Sequence, residues 1–161
     1  MRRDMLHWFG GDAATEVQMA TTSSTTVAHG PIEVDWLGGS EFEARRPGAP
    51  GVRIDGNAAS APTPFDALLA ALATCAATDV VSILSKQRTP VTLLHIRVEA
   101  QRTAATPRRL AAATLHFTLK APGATAAKAA RAVELSITKY CSVRSSLLGE
   151  VPVTWTTALE A

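Results

Sequence analysis

Between residues 63 and 88, apolar side chains recur every three or four positions, at Phe65, Leu68, Leu69, Leu72, Ala76, Val80, Ile83 and Leu84. That period predicts one long helix. Thr63 is placed to cap it, Pro64 suits the first helical position, and Asp66 falls three residues after the cap, giving a capping box with aspartate in place of glutamate. Lys86 and Arg88 suit the negative pole at the far end, and Pro90 follows just beyond. At about 1.5 Å per residue the helix is roughly 35 Å long, the width of a small domain. It is the predicted spine of the fold, and Cys75 lies beside its apolar stripe, next to Leu72 and Ala76.

On either side of this helix the period changes to two, the signature of strands. Ile32, Val34 and Trp36 alternate with Glu33, Asp35 and Leu37. Gly38-Gly39 marks a tight turn and residues 41–46 form the return strand. Pro47, Gly48, Pro50 and Gly51 break the chain before a short third strand at residues 52–55, completing an N-terminal β-meander. Beyond Pro90, Leu94, Ile96 and Val98 oppose His95, Arg97 and Glu99; Leu115, Phe117 and Leu119 oppose His116, Thr118 and Lys120. These are two strands of a half-buried hairpin. Pro122-Gly123 turns the chain into a second helix from about Thr125, with Ala129, Ala132, Val133, Leu135 and Ile137 available for burial. It is the first of a helix pair, the later part of which carries Cys141, with Gly149 as the expected residue after its end, and a last strand covers residues 151–159. The order of elements predicts an α+β fold. Residues 1–30 are polar and rich in Ser and Thr, and are expected to be a flexible N-terminal extension ahead of a folded domain at 31–161. Its apolar run around Leu6 is too short for a signal peptide, although His7, Trp8 and Phe9 are suited to docking on the body or on a second subunit.

Composition narrows the function. A chain of 161 residues is expected to form one domain able to hide roughly 70% of its surface without a covalent staple. The formal net charge is only +2, from 16 basic and 14 acidic residues, which argues against phosphate-driven nucleic-acid binding. The apolar helix carries Asp66 and Asp79, so it is not read as membrane-spanning. Two cysteines without a secretory signal point to a reducing, cytoplasmic compartment, with thiols that are reactive or buried rather than permanently paired. His95 and His116 fall on the polar face of the hairpin, and no His–Cys spacing resembles a metal site, so neither metal nor cofactor is expected.

Two separated stretches carry a specific resemblance. PFDALLAALATC followed by DVVSIL, and later AVELSITKYCSV, resemble the OsmC/Ohr family, and within it the OsmC-like branch that carries both DVVSIL and KYCSV. The likeness runs from about residue 31 to residue 159. It implies an intertwined homodimer with strands of both chains wrapped around paired central helices. It also implies a thiol-dependent peroxidase acting on organic hydroperoxides, with Cys75 as the peroxidatic and Cys141 as the resolving cysteine, recycled by a dithiol such as a lipoylated protein.

Such chemistry makes its own demands. A thiolate attacks the peroxide, leaving a sulfenic acid that a second thiol converts to a disulfide. Cys75 stands about three turns into its helix, beyond the reach of the dipole, and Asp79 at i+4 opposes ionisation, so a cation from elsewhere is expected. In the best-known family members an arginine of the meander supplies it, held by a glutamate near the start of the long helix. Here Arg45, Arg46 and Arg53 are the candidates, and the glutamate position is Phe65, with Asp66 the nearest acid. Lys139 and Arg144 flank Cys141. The alternative function is a non-enzymatic protein of the same fold, stress-linked or binding a small apolar ligand.

Overall fold

The helix begins where its capping residues place it. Thr63 adopts extended backbone, its Oγ1 accepts the N–H of Asp66 at 3.1 Å, and the Asp66 carboxylate accepts the N–H of Thr63 at 2.9 Å. This computed structural model describes residues 26–147, 149 and 151–160. The lead-peptide residues His7, Trp8 and Phe9 lie outside the described residues. Ile32–Ala161 is one unit.

Helix α1 (Pro64–Lys86) ends two residues before the predicted limit. Gln87 is its C-cap, and Arg88 takes the left-handed conformation with φ 60° that glycine usually supplies at this point. Leu72, Ala73, Ala76, Val80 and Leu84 form its buried face. The predicted stripe is therefore displaced toward the C-terminus: Leu68 is exposed, and Phe65 lies under the Arg102 guanidinium, 4.2 Å from the ring centre. The partner helix α2 (Ala126–Leu135) has 10 residues against 23 in α1, too few to cover the first turns. By length and composition α1 would also cross a bilayer, but here it is the core helix of an α+β domain and carries Asp66 and Asp79.

Strands β1 (Glu33–Gly38), β2 (Glu41–Arg45) and β3 (Val52–Asp55) form an antiparallel sheet in sequence order. Gly38 and Gly39 turn the first hairpin with φ values of 121° and 53°, which side-chain-bearing residues avoid. The register pairs Val34 with Ala44, Trp36 with Phe42, and Phe42 with Ile54, so one face of the sheet is apolar. The other face is charged, with Arg45 held by Glu33, Asp35 and Glu43. The buried Asp55 carboxylate ends β3, accepting from Ser40, Asn57, Ala59 and Ser60. These bonds hold its pKa well below the ordinary carboxylate range, the Ser40 hydroxyl most of all, and fix the loop that delivers the chain to Thr63.

The second sheet has the order β4 (Leu93–Arg102), β5 (Leu110–Lys120), β6 (Val153–Leu159). The β4–β5 hairpin is antiparallel, with the polar and apolar faces expected from the alternation. β6 joins β5 in parallel. Parallel neighbours need a crossover, and α2, a π-helical turn at Ser136–Tyr140 and α3 (Ser142–Ser146) provide it. The helices cover one face of this sheet, where Leu115, Phe117, Leu119 and Val153 meet Leu72, Val80, Leu84, Ala132 and Val133. Two details differ from the sequence reading. The expected helix pair, α2 and α3, is joined by a π turn that the sequence reading did not include. In addition, α3 ends at Ser146 with Leu147 as its cap, so Gly149 is not the first residue past it.

Candidate functional site: two thiols against one turn of α1

The site is built where the crossover presses on residues 72–76 of α1. Three contacts pin it there. Ser136, fully buried, donates its hydroxyl to the Ala76 carbonyl at 2.8 Å. The Cys141 thiol points at the Leu72 carbonyl, 4.0 Å away, and the Ser142 hydroxyl lies 3.8 Å from Cys75 Sγ. The π turn sets this alignment, because its last bond runs from the Cys141 N–H to the Ser136 carbonyl at 2.8 Å. Cys141 then caps α3, accepting the Arg144 N–H on its sulfur at 3.3 Å. π turns of this kind recur at functional sites, where an extra residue re-aims a side chain.

Both cysteines are free, Cys75 half-buried and Cys141 buried. Their surroundings push them in opposite directions. Burial raises the pKa of Cys75, but several donors outweigh it: the Val143 N–H, the Cys141 thiol, and the hydroxyl and N–H of Ser142. The net effect favours the Cys75 thiolate. Burial also raises Cys141; the Arg144 N–H offsets this in part, and the adjacent Cys75 raises it again. The net effect disfavours the Cys141 thiolate. Two sulfur atoms remote in sequence are thus brought beside one another and perturbed in opposite directions.

The other candidates are distributed as follows. Arg45 is occupied by carboxylates of its own sheet, and Arg53 lies near Glu41 and Glu43. Arg46 lines a groove of about 540 Å³ between the meander and α1, together with Arg45, Ala70 and Thr74. The donors that lower Cys75 all come from residues 141–143. Asp66 is engaged in the cap through both the N–H and the hydroxyl of Thr63. Asp79 lines a groove of about 410 Å³ with Lys86, Leu135 and Tyr140. Lys139 lies over the Tyr140 ring. The Arg144 Nε is enclosed without a hydrogen-bond partner. His95 and His116 stand on the outer face of the second sheet, where His116 bonds Thr156 at 2.9 Å. Among the described residues, no three His, Cys, Asp or Glu side chains gather as metal ligands.

Sequence reasoning missed Ser136 and Ser142. Ser136 was detectable in principle, as a hydroxyl in the phase that Ala129, Ala132 and Val133 use for burial. Ser142 follows Cys141 directly, but its reach to Cys75 depends on the π turn.

An α+β domain whose long core helix presents one cysteine to a second, delivered by a crossover, defines a two-thiol fold of the OsmC type. The OsmC-like protein family model matches residues 56–156, and the chain belongs to that family. It is 36% identical over 122 residues to Protein YhfA of Escherichia coli K12, a match covering 75% of this chain and 91% of that protein. Solved structures with the same fold include the OsmC-like protein from Mycoplasma pneumoniae (TM-score 0.72, 17% identity, 84% of this chain and 100% of the other). Another is the organic hydroperoxide resistance protein OhrB of Bacillus subtilis (TM-score 0.53, 14% identity, 81% of this chain and 98% of the other).

Proposed function

We propose that this protein is a thiol-dependent peroxidase that reduces organic hydroperoxides through Cys75 and Cys141. The observation that carries this reading is that two free thiols neighbour one another on one turn of α1, with Ser142 and Val143 donors favouring the Cys75 thiolate while burial disfavours that of Cys141. Cys75 Sγ attacks the terminal oxygen of the hydroperoxide and the O–O bond breaks. The alkoxide takes a proton from water and leaves as the alcohol, and Cys75 becomes a sulfenic acid. The Cys141 sulfur then attacks Cys75 Sγ, forming the disulfide and releasing water. The peroxide has gained two electrons and the two thiols have lost them. A dithiol reductant, such as a lipoylated protein, restores both thiols by exchange. The apolar surroundings of Cys75, which packs on the core cluster, favour an alkyl hydroperoxide over hydrogen peroxide. The chain acts as a homodimer in the cytoplasm, where thiols are kept reduced.

Stopped-flow measurement of cumene hydroperoxide consumption with dihydrolipoamide tests the reading. Wild type should turn over and Cys75→Ser should fall by at least about a thousandfold, the scale of losing a catalytic nucleophile. Absence of turnover by wild type would defeat it.

One observation favours a second reading, a non-enzymatic binder of small apolar molecules. A groove of about 510 Å³ runs between α1 and β4, lined by Leu69, Ala73, Leu94, Ile96 and Val98, on a different side of the helix from Cys75. A chain that binds apolar probes but leaves hydroperoxide untouched fits that reading.

A further inference from the structure

Ser136 is a buried hydroxyl that the redox steps leave unused. It is fully enclosed and continues the buried phase of α2 set by Ala129, Ala132 and Val133. Its Oγ donates at 2.8 Å to the Ala76 carbonyl, one residue after Cys75. That carbonyl lies in the interior of α1 and is already served by the helix ladder. The serine therefore rescues no orphaned acceptor. Its main-chain carbonyl meanwhile takes the Cys141 N–H at 2.8 Å, the bond that closes the π turn. One residue thus grips α1 beside the first cysteine with its side chain and holds the second cysteine with its backbone.

We propose that Ser136 is a positioning residue that sets the Cys75–Cys141 separation for disulfide closure. The proposal rests on reading the pair as redox-active. A disulfide requires Cα atoms about 4.4–6.8 Å apart and a narrow dihedral range. A π turn is an uncommon, single-turn structure and gives little rigidity of its own. Clamped to Ala76 at its start, it delivers Cys141 at a fixed height on α1, level with Leu72 and Cys75. Without the clamp, apolar packing still holds α2 on α1, but packing is not directional and permits sliding along the helix axis. Sliding by an ångström leaves the core filled and the sulfurs misaligned.

The test measures closure without hydroperoxide. Full-length protein is equilibrated in glutathione buffers, where two protein thiols are oxidised to the disulfide and one glutathione disulfide is reduced to two glutathione thiols, which carry the protons away. Acid quenching and intact mass give the equilibrium constant for the wild type, Ser136→Ala and Val133→Ala. Ser136→Ala should lower the constant about threefold to tenfold, the worth of one hydrogen bond. Val133→Ala, which opens core space on the same helix face, should unfold more easily yet keep the wild-type constant while folded. Equal constants for the wild type and Ser136→Ala would overturn the proposal. So would an equal loss in Val133→Ala, which would mark general loosening. Failure of the peroxidase reading is seen separately: a wild type that closes its disulfide in glutathione but ignores cumene hydroperoxide loses that function and leaves the role of Ser136 standing.

Discussion

At the scale of single residues, the two thiols are distinguished by what points at them. Cys75 gathers N–H and hydroxyl donors from residues 142 and 143, whereas Cys141 is enclosed and has the Cys75 sulfur as a neighbour. The sign of each shift fixes its pH dependence. The folded-state pKa of Cys75 lies below its unfolded value, so its contribution to stability is present above the ordinary thiol range and disappears as pH falls through the folded value. For Cys141 the folded value is raised, so its contribution is present below that range and is lost as pH rises through the folded value. The two contributions oppose each other in stability but separate in reactivity. Iodoacetamide at pH 7 should therefore label Cys75 at least about tenfold faster than Cys141, thiolate fraction and access acting together. Peptide mass mapping over time reads the order, and equal or inverted rates would remove Cys75 as the attacking group.

At the scale of elements, α1 was the most legible part of the chain at its start and less so at its end. The capping box is local chemistry: Thr63 and Asp66 satisfy each other within one turn, so four letters suffice to locate it. The stop is different. Lys86, Arg88 and Pro90 suggest a region, but the helix ends because Arg88 adopts φ 60°, a conformation that arginine letters do not announce. Replacing Arg88 by glycine removes the Cβ conflict at an exposed position and should stabilise the protein by about 0.5–1 kcal/mol, read from urea denaturation. A destabilised Arg88→Gly would mean that its side chain holds the helix end. The strands were legible because alternation is local as well, and His95, Arg97 and Glu99 do lie opposite the apolar series. The site was only half legible. Cys75 and Cys141 stood out through motifs, but the Ser142 and Val143 donors beside Cys75 did not. The donors lie on α3, and the π turn that brings them has no period to read. Its register follows from two long-range bonds, Ser136 to Ala76 and Cys141 to Leu72, which no window of sequence contains.

At the scale of the whole molecule, the apolar face of the meander remains to be accounted for. Ile32, Val34, Trp36 and Val52 are 54%, 62%, 69% and 62% exposed, on the same face as Phe42, Ala44 and Ile54. A contiguous apolar face of this kind is unusual on a monomer and marks an interaction surface. The neighbouring ridge of α1 is made of Ala67, Ala70, Ala71 and Thr74, small enough for close approach of another helix, and a groove of about 540 Å³ separates it from the sheet. A second copy of the chain fits both features, since a two-fold axis would offer each copy the same sheet face and the same helix ridge. Sedimentation equilibrium should then give twice the 16.9 kDa chain mass. Trp36→Glu should shift the protein to monomer at micromolar concentration, because burying a carboxylate against apolar partners costs several kcal/mol. The fold of each chain should survive the change, since Trp36 lies outside the core cluster and its Nε1 only donates to the Gly39 carbonyl of its own turn. A wild type that sediments as a monomer would leave that apolar face without an occupant and sink the dimer. A Trp36→Glu variant that stays dimeric would move the interface from the meander to the α1 ridge.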